Sequence, residues 1–322
     1  MRVRERIRNF IKYSVNDALN ASDRLTALET KIVGVTQRLD VLTNNADQLQ
    51  ALTPQEAAHL DRLRLDQRLL SDWPGDQREQ LVERTQAVLA KLRPRKAVGF
   101  QKVRVGSAHD GGYVLLDDFE RLGVVFSFGV EQNADFDLAM AQRGKPVFQF
   151  DHSIEKAPVD HPEITWEKKM IAPQASEATE SISHLLEIHG AGRTGPDALL
   201  KMDIEHAEWA VLDATPAADL KKFTQIAAEF HGFDYFTLRE RMEVMERVIG
   251  KMSENFCVVH VHANNYAGVA NYFGLTVPYV LELTFANRDV YKFEDTDETF
   301  PGPLDAPCWA AMPDIRLGAF HY

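Results

Sequence analysis

The sequence has few cysteines and no long apolar run. Its 322 residues include two cysteines, Cys257 and Cys308, which form neither a metal-binding spacing nor a disulfide framework. Such sparse use of cysteine is typical of a reducing compartment. No stretch approaches the ~20 apolar residues that a membrane-spanning helix needs, and the amino-terminus lacks the apolar core and cleavage site of a signal peptide. These absences predict a cytoplasmic protein.

Basic residues are also in deficit. The chain has 36 Lys and Arg against 48 Asp and Glu, which gives a net charge of −12. A general nucleic-acid-binding protein needs a basic surface to neutralise phosphates. We therefore expect no nucleic acid among the partners.

The amino-terminus is an exception to this acidic balance. Five basic residues surround Ile7, Phe10 and Ile11, namely Arg2, Arg4, Arg6, Arg8 and Lys12. Such a segment could contact the inner face of an anionic membrane peripherally. The alternative, which we favour, is a solvated basic start to a coiled coil.

Residues 1–52 carry a heptad pattern. Apolar or small side chains recur in steps of three and four, with Ser14 as the exception, at Ile11, Ser14, Ala18, Ala21, Leu25, Leu28, Ile32, Val35, Leu39, Leu42, Ala46 and Leu49. Such a repeat indicates a coiled coil. Because one helix cannot bury its apolar stripe alone, the pattern implies self-association or docking against another helix, and we predict a homo-oligomer.

Residues 53–95 are predicted to form a helical hairpin. Thr53, Pro54 and Glu56 provide an N-cap, a first-turn proline and a capping-box acid. A further helix is expected over 77–92, after the turn that begins at Trp73. These segments contain no obvious chemistry, so we assign them to assembly, positioning or partner binding.

Residues 96–322 alternate short apolar strands with helical patterns. We predict strands at 124–128, 147–150, 199–202, 225–228, 257–261 and 279–285, and a further short strand within 164–171. Helices are predicted at 136–143, 180–189, 207–214 and 238–252. This alternation is typical of the α/β class, with a doubly wound, Rossmann-like sheet and crossover connections.

The first two predicted strands end in features that suit a nucleoside cofactor. The strand at 124–128 runs into Gly129, which permits a tight turn, and the next strand ends in Asp151. An acid about 20 residues beyond such a turn is the usual acceptor of ribose hydroxyls. Because G-x-G-x-x-G needs three glycines, pyrophosphate binding is unsupported. We therefore expect S-adenosylmethionine as the cofactor.

Three later strand ends are polar. Asp203 and Glu205 end one strand, and Glu229 and His231 end the next. His260, His262 and Asn264 end the third. Asp203 could simply cap the following helix, but the recurrence of acids and imidazoles favours a functional cluster at the carboxyl edge of the sheet. The predicted catalytic residues are Asp203, Glu229, His231 and His262.

Methyl transfer to a hydroxyl needs alignment of two reactants and removal of a proton. A histidine with an acidic partner could be the base. Alternatively, Asp203, Glu229 and either His231 or His262 could bind a divalent metal, Mg, Mn or Zn, that lowers the pKa of sugar hydroxyls. We favour metal-free catalysis and take Asp203, Glu229 and His262 as the alternative metal ligands.

Several motifs resemble the FkbM-like and methyltransferase-like (METTL) group of S-adenosylmethionine-dependent methyltransferases. They are the segments at 103–106 and 110–113, the glycine strand at 126–131, the Lys-Met-Asp-Ile-Glu element at 201–205 with Glu208, and the polar strand ends at 229–231 and 260–265. The resemblance covers roughly residues 97–293. The chain departs from it at His206, where many relatives carry glycine, and in its long coiled-coil leader.

The resemblance implies O-methylation of a sugar hydroxyl or another hydroxylated metabolite, with a glycan or glycolipid intermediate as the expected acceptor. The residues expected to contact the cofactor are Asp110, Gly111, Gly129, Val130, Glu131, Asp151, His152 and Glu205. Two alternatives stay open. One is an inactive methyltransferase-like scaffold assembled by its coiled coil, and the other is an NAD-dependent sugar enzyme.

Overall fold

The structure is a computed structural model that describes residues 72–75 and 77–322. The predicted coiled coil and the first helix of the predicted hairpin lie outside the described residues. The chain divides into two compact units after residue 76, and the unit Gln77–Tyr322 contains the α/β sheet. Within the described residues, no helix combines the length and apolar character needed to cross a membrane.

Short strands and helices alternate along this unit. The helices are α1 (Gln77–Lys91), α2 (Asp135–Ala141), α3 (Ile182–Ile188), α4 (Glu208–Ala214), α5 (Ala217–Leu220) and α6 (Arg239–Asn255), with a 3-10 helix at Phe233–Thr237. The strands are β1 (Lys96–Ala97), β2 (Lys102–Gly106), β3 (Gly112–Leu116), β4 (Val124–Phe128), β5 (Val147–Phe150), β6 (Ile164–Glu167), β7 (Met170–Ile171), β8 (Thr179–Glu180), β9 (Ala198–Met202), β10 (Phe223–His231), β11 (Phe256–Ala263), β12 (Val269–Tyr272), β13 (Leu275–Pro278), β14 (Val280–Asn287) and β15 (Phe293–Glu294).

Seven strands form the central sheet in the order β6-β5-β4-β9-β10-β14-β11. The first five pair in parallel, whereas β14 is antiparallel to both β10 and β11. β4, β9 and β10 are buried along their whole length, which explains why the sequences of β4 and β9 are nearly continuous apolar runs. The predicted α/β class is confirmed, and this mostly parallel sheet is compatible with a Rossmann-like fold.

The predicted elements of the sheet are found with shifts of a few residues at their ends. The six predicted strands correspond to β4, β5, β9, β10, β11 and β14, and the four predicted helices to α2, α3, α4 and α6. The stretch 164–171 contains β6 and β7. The hairpins β2–β3 and β12–β13 are absent from the prediction.

The reversed strand β14 departs from the predicted crossover pattern. Between β11 and β14 the chain forms the β12–β13 hairpin and no helix. Parallel neighbours require a crossover that is usually helical, and this connection lacks one. β14 enters the sheet between β10 and β11 and separates them by two strand spacings, about 10 Å.

Helix α1 confirms the helix predicted over 77–92 and packs against α6. Arg84 of α1 donates two hydrogen bonds to Glu246 of α6, at 2.7 Å from Nε and 2.6 Å from Nη2. The compact unit therefore begins at Gln77, ahead of the predicted boundary at residue 96.

The ends of β4 and β9 meet at Gly129. A Cβ added there would lie 1.6 Å from the carbonyl oxygen of Asp203, and the residue has a left-handed φ of 69°. The amide of Asp203 donates to the carbonyl of Phe128 at 3.0 Å, and the amide of Gly129 to that of Phe150 at 3.1 Å. A residue without a side chain is required at this contact.

Gly129→Ala should destabilise the protein strongly, by roughly 3 kcal/mol or more, because it adds a backbone clash to an unfavourable φ. Gly144→Ala is the matched control, since Gly144 has a φ of 71° and no atom of the described residues within 4 Å of its added Cβ. The control should lose only about 1 kcal/mol. Urea unfolding of both variants checks this, and equal losses would contradict the importance of the contact.

Candidate functional site

A cavity of about 820 Å³ opens at the carboxyl edge of the parallel strands. Loops after β4, β5, β9 and β11 and the end of β10 contribute to its wall. The wall includes all eight predicted cofactor contacts and three of the four predicted catalytic residues, namely Asp110, Gly111, Gly129, Val130, Glu131, Asp151, His152, Glu205, Asp203, Glu229 and His231. Residues far apart in the sequence are thus brought to one site.

Asp151 holds the loop that follows Gly129. Its Oδ2 accepts from the amides of Val130 and Glu131, both at 2.8 Å. Its Oδ1 accepts from the amide and hydroxyl of Ser153, at 2.7 and 2.6 Å. Because each oxygen already has two donors, this geometry makes Asp151 a clamp for the loop, and the role of ribose acceptor stays a prediction.

Lys201 is a buried cation at the end of β9. Its ammonium donates to the carbonyl oxygens of Phe128, at 3.3 Å, and Gly129, and it lies 3.9 Å from Asp203 Oδ2. A buried charge needs such acceptors and a counter-charge. Lys201 is absent from the predicted site, although a lysine inside an otherwise apolar strand is a signal for it.

Asp203, Glu229 and His231 form the centre of the site. One ligand-type atom from each lies within 4.8 Å of the other two. The ring of His231 is oriented by Glu208, whose Oε1 lies 3.1 Å from Nδ1, while Nε2 lies 3.6 Å from Glu229 Oε1. Asp203 does not cap α4, because that helix begins five residues later with Ala207 in the cap position.

The charges of these three groups depend on one another. Burial raises the pKa of Asp203 to about 6, against the opposing effects of Lys201 and His231. Burial, followed by the charge of Asp203, raises the pKa of Glu229 well above its usual range. Burial acts to lower the pKa of His231, but the hydrogen bond to Glu208 and the surrounding carboxylates raise it to about 9. His231 is therefore a cation at neutral pH.

His262 does not join this group and does not line the cavity. Its Nδ1 lies 2.6 Å from Glu282 Oε2, and its Nε2 lies 3.1 Å from both carboxylate oxygens of Asp314. Glu282 on β14 is aligned with Glu229 on one side and with His262 on the other. The prediction grouped His262 with Asp203 because their strands end at the same edge of the sheet, but β14 lies between β10 and β11 and separates His262 from the group.

The environment of His262 also makes it unsuited to act as a base. Burial acts to lower its pKa, but hydrogen bonds with Asp314, Cys308 and Glu282 outweigh burial and raise the pKa to about 12. A ring that is already protonated at both nitrogens has no free lone pair for a proton or a metal ion.

The group formed by Asp203, Glu229 and His231 is also suited to a divalent cation. Two carboxylates and an imidazole are ligands that Mg, Mn and Zn share. Of the two histidines considered as the third ligand, the structure brings His231 to Asp203 and Glu229, and not His262. Two further groups of ligand-type atoms lie within the same 4.8 Å limit, formed by His262, Glu282 and Cys308 and by Asp110, Glu229 and Glu282.

Asn264 extends the site beyond the prediction. Its Nδ2 donates to Glu229 Oε1 at 2.7 Å, and its Oδ1 accepts from the amide of Tyr266 at 2.9 Å. Both residues line the cavity. The sequence signal for Asn264 is its position at the end of the His260–His262 strand, whereas Tyr266 has no comparable signal.

The turn after β9 has an unusual backbone. Glu205 and His206 adopt positive φ values of 51° and 75°, a region that favours glycine. The strained turn directs Glu205 toward the site, where its Oε2 lies 3.5 Å from His231 Nε2.

Carboxylates outnumber lysines around the cavity. Six carboxylates line it, against Lys169 and Lys201, namely Asp110, Glu131, Asp151, Asp203, Glu205 and Glu229. A cleft with this balance attracts cationic ligands and disfavours anionic ones.

No protein-family model matches the sequence, and no curated protein matches it.

Asp151→Asn should lower the free energy of unfolding at neutral pH by roughly 2 kcal/mol, because an amide cannot accept all four hydrogen bonds. Ser153→Ala, which removes only the hydroxyl donor, should lose about half as much. Urea unfolding measures both. A variant that loses cofactor affinity but no stability would contradict the clamp role.

The same variant has an expected pH dependence. Burial acts to raise the pKa of Asp151, but its hydrogen bonds from Ser153, Glu131 and Val130 keep it below the ordinary value of 3.8. The stabilisation is therefore present above that value and is lost as the pH falls through the lower folded-state pKa. The stability difference between the parent and Asp151→Asn should shrink in acid.

His231 should titrate near pH 9 in the free protein. Glu208→Gln should lower this pKa, because it removes the charge that holds the imidazolium. Histidine NMR checks both, with the His231→Gln spectrum for assignment. The stabilisation from the imidazolium should be complete below pH 6.5 and should be lost as the pH rises through about 9. A His231 pKa near 6.5 would contradict the proposed ion group.

Proposed function

We propose that the chain is an S-adenosylmethionine-dependent O-methyltransferase that acts on a sugar hydroxyl of a glycan or glycolipid intermediate. The observation that carries the proposal is the cavity that joins the glycine loop, clamped by Asp151, to the acid–imidazole group of Asp203, Glu229 and His231. The part of the cavity at the glycine loop suits a nucleoside. The part at the acid–imidazole group suits activation of a hydroxyl. The motif resemblance points to the same reaction.

The residues present fit this cofactor. A volume of about 820 Å³ is large enough for a nucleoside cofactor and part of an acceptor. When bound, S-adenosylmethionine supplies a methyl group on a positively charged sulfur, and the excess of carboxylates around the cavity favours such a cation. The loop residues Val130 and Glu131, with His152 beside them and Glu205 opposite, would hold it.

Asp203 is the base in this proposal. Its pKa of about 6 leaves it ionised at neutral pH and close enough to neutrality to accept a proton efficiently. Asp203 would take the proton of the acceptor hydroxyl, and the bound cofactor would supply the methyl group to the acceptor oxygen. The predicted histidine base is replaced here, because the pKa of His231 lies near 9.

His231 and Glu208 have supporting roles. The imidazolium of His231 counters the negative charge of Asp203 and can donate a hydrogen bond to the acceptor oxygen. Glu208 is fully buried and fixes the ring from Nδ1. Lys201 supports the other side of Asp203 at 3.9 Å.

The metal-assisted version of the reaction uses the same residues. Asp203, Glu229 and neutral His231 would be the ligands, and the cation would lower the pKa of the acceptor hydroxyl. Loss of the His231 proton on metal binding separates the two versions in the histidine spectrum.

Two other functions receive less support. An NAD-dependent enzyme would need to bind a pyrophosphate at a loop with one glycine in a cavity rich in carboxylates. The reversed β14 also departs from the parallel order of dinucleotide-binding sheets. An inactive scaffold would have no need for the buried, mutually charged group around Asp203.

Calorimetry with S-adenosylmethionine tests the proposal on the full chain. We expect saturable binding of S-adenosylmethionine and no binding of NAD, which serves as the control ligand. The titration is repeated with Mg²⁺, Mn²⁺ and Zn²⁺ and with EDTA. Absence of binding in every arm would reject the enzyme.

Asp203→Asn should keep cofactor affinity but lose methyl transfer by about 10²–10⁴-fold, because the base is removed. Transfer of a tritiated methyl group from the cofactor to a mixture of neutral oligosaccharides measures this. Asp213→Asn, a substitution of a half-buried residue on α4 that pairs with Arg247 away from the cavity wall, is the control. Full transfer by Asp203→Asn would show that another group is the base.

A further inference from the structure

Two large aromatic side chains stand exposed beside the cavity. Tyr266 lines the cavity and is 60% exposed, and Trp309 is 43% exposed. Their rings are stacked, with centroids 5.7 Å apart and planes 9° from parallel. Adjacent apolar rings left in water mark a surface that is suited to covering by a ligand.

The backbone around this pair is tied to the catalytic group. Asn264 bonds to Glu229 through Nδ2 and receives the amide of Tyr266 on Oδ1. The adjacent Asn265 accepts from the amide of Trp309 at 2.7 Å and donates to its carbonyl at 3.1 Å. Two successive asparagines therefore fix both rings relative to Glu229.

The segment that carries Trp309 is anchored by a buried hydrogen bond from His260 and a buried ion pair with His262. His260 Nε2 lies 2.7 Å from Asp305 Oδ1, and His262 Nε2 lies 3.1 Å from Asp314. The two aspartates, Asp305 and Asp314, lie on either side of Trp309 in the sequence. An exposed ring on a segment held in this way is presented rigidly, which reduces the entropy cost of binding.

We infer that Tyr266 and Trp309 form the acceptor platform, on which the apolar face of a neutral sugar ring packs while a ring hydroxyl enters the cavity toward Asp203 and Glu229. This inference rests on the proposed function. It assigns the choice of acceptor to these two residues, because the chemistry of methyl transfer does not by itself determine which acceptor is used.

The charge and shape of the surroundings favour this occupant. Sugar rings present apolar C–H faces to aromatic rings and hydroxyl donors at their edges. The carboxylates of the cavity accept hydrogen bonds from hydroxyls and disfavour a phosphorylated or otherwise anionic ligand. A neutral hydroxylated ring satisfies both the platform and the acids.

The test uses the labelled full chain, with S-adenosylhomocysteine present, on an array of neutral and anionic oligosaccharides. We expect binding to neutral glycans with at least one ring free to stack. Trp309→Ala and Tyr266→Ala should each weaken binding roughly tenfold. Trp309→Phe should retain most of it, and Phe273→Ala, an exposed aromatic on the β12–β13 hairpin, should match the parent.

Thermal unfolding of each variant separates lost contact from lost fold, and the Ala variants should melt within a few degrees of the parent. Equal binding by the parent and both Ala variants would overturn the inference. So would binding to anionic glycans alone, or to no glycan when calorimetry shows that the cofactor binds. Failure of cofactor binding together with platform-dependent glycan binding would reject the methyltransferase and leave the platform standing.

Discussion

The site depends on the close contact between the ends of β4 and β9. Gly129 approaches the carbonyl of Asp203 so closely that a methyl group has no space. After this contact the chain turns so that the amides of Val130 and Glu131 donate hydrogen bonds to Asp151. The carbonyl oxygens of Phe128 and Gly129 accept hydrogen bonds from the ammonium of Lys201. One missing side chain thereby sets the loop after β4, the buried Lys201 and Asp203 relative to one another.

The charges of the site follow from this arrangement. Asp203 and Glu229 are drawn together where burial opposes ionisation of both, so cations are needed to stabilise them. Lys201 and His231 are these cations, and Glu208 keeps His231 protonated from the side away from the cavity. The cluster retains an excess of negative charge toward the cavity, which favours a cationic ligand such as the proposed methyl donor.

Much of the candidate site could be predicted from the sequence. The carboxyl ends of parallel strands meet at one edge of the sheet, whatever the positions of the connecting helices. Asp203, Glu229 and His231 follow from that rule. His262 does not, because the position of β14 in the sheet is set by long-range pairing that local patterns do not encode. Asp151 has all its acceptor positions filled, and Asn264 links Glu229 to the backbone of Tyr266. Both features depend on individual hydrogen bonds, which the spacing of residues in the sequence cannot reveal.

The reversed strand also explains why the site has two distinct histidine environments. Glu229, Glu282 and His262 are aligned across β10, β14 and β11. Because Glu282 lies between the other two, His262 neutralises Glu282 and anchors Asp314, while His231 remains beside the cavity. The reversal of β14 therefore keeps the imidazole of His262 out of the proposed site. That imidazole instead holds the segment that carries Trp309. A single row of side chains across three strands therefore connects Glu229 to the segment that carries Trp309.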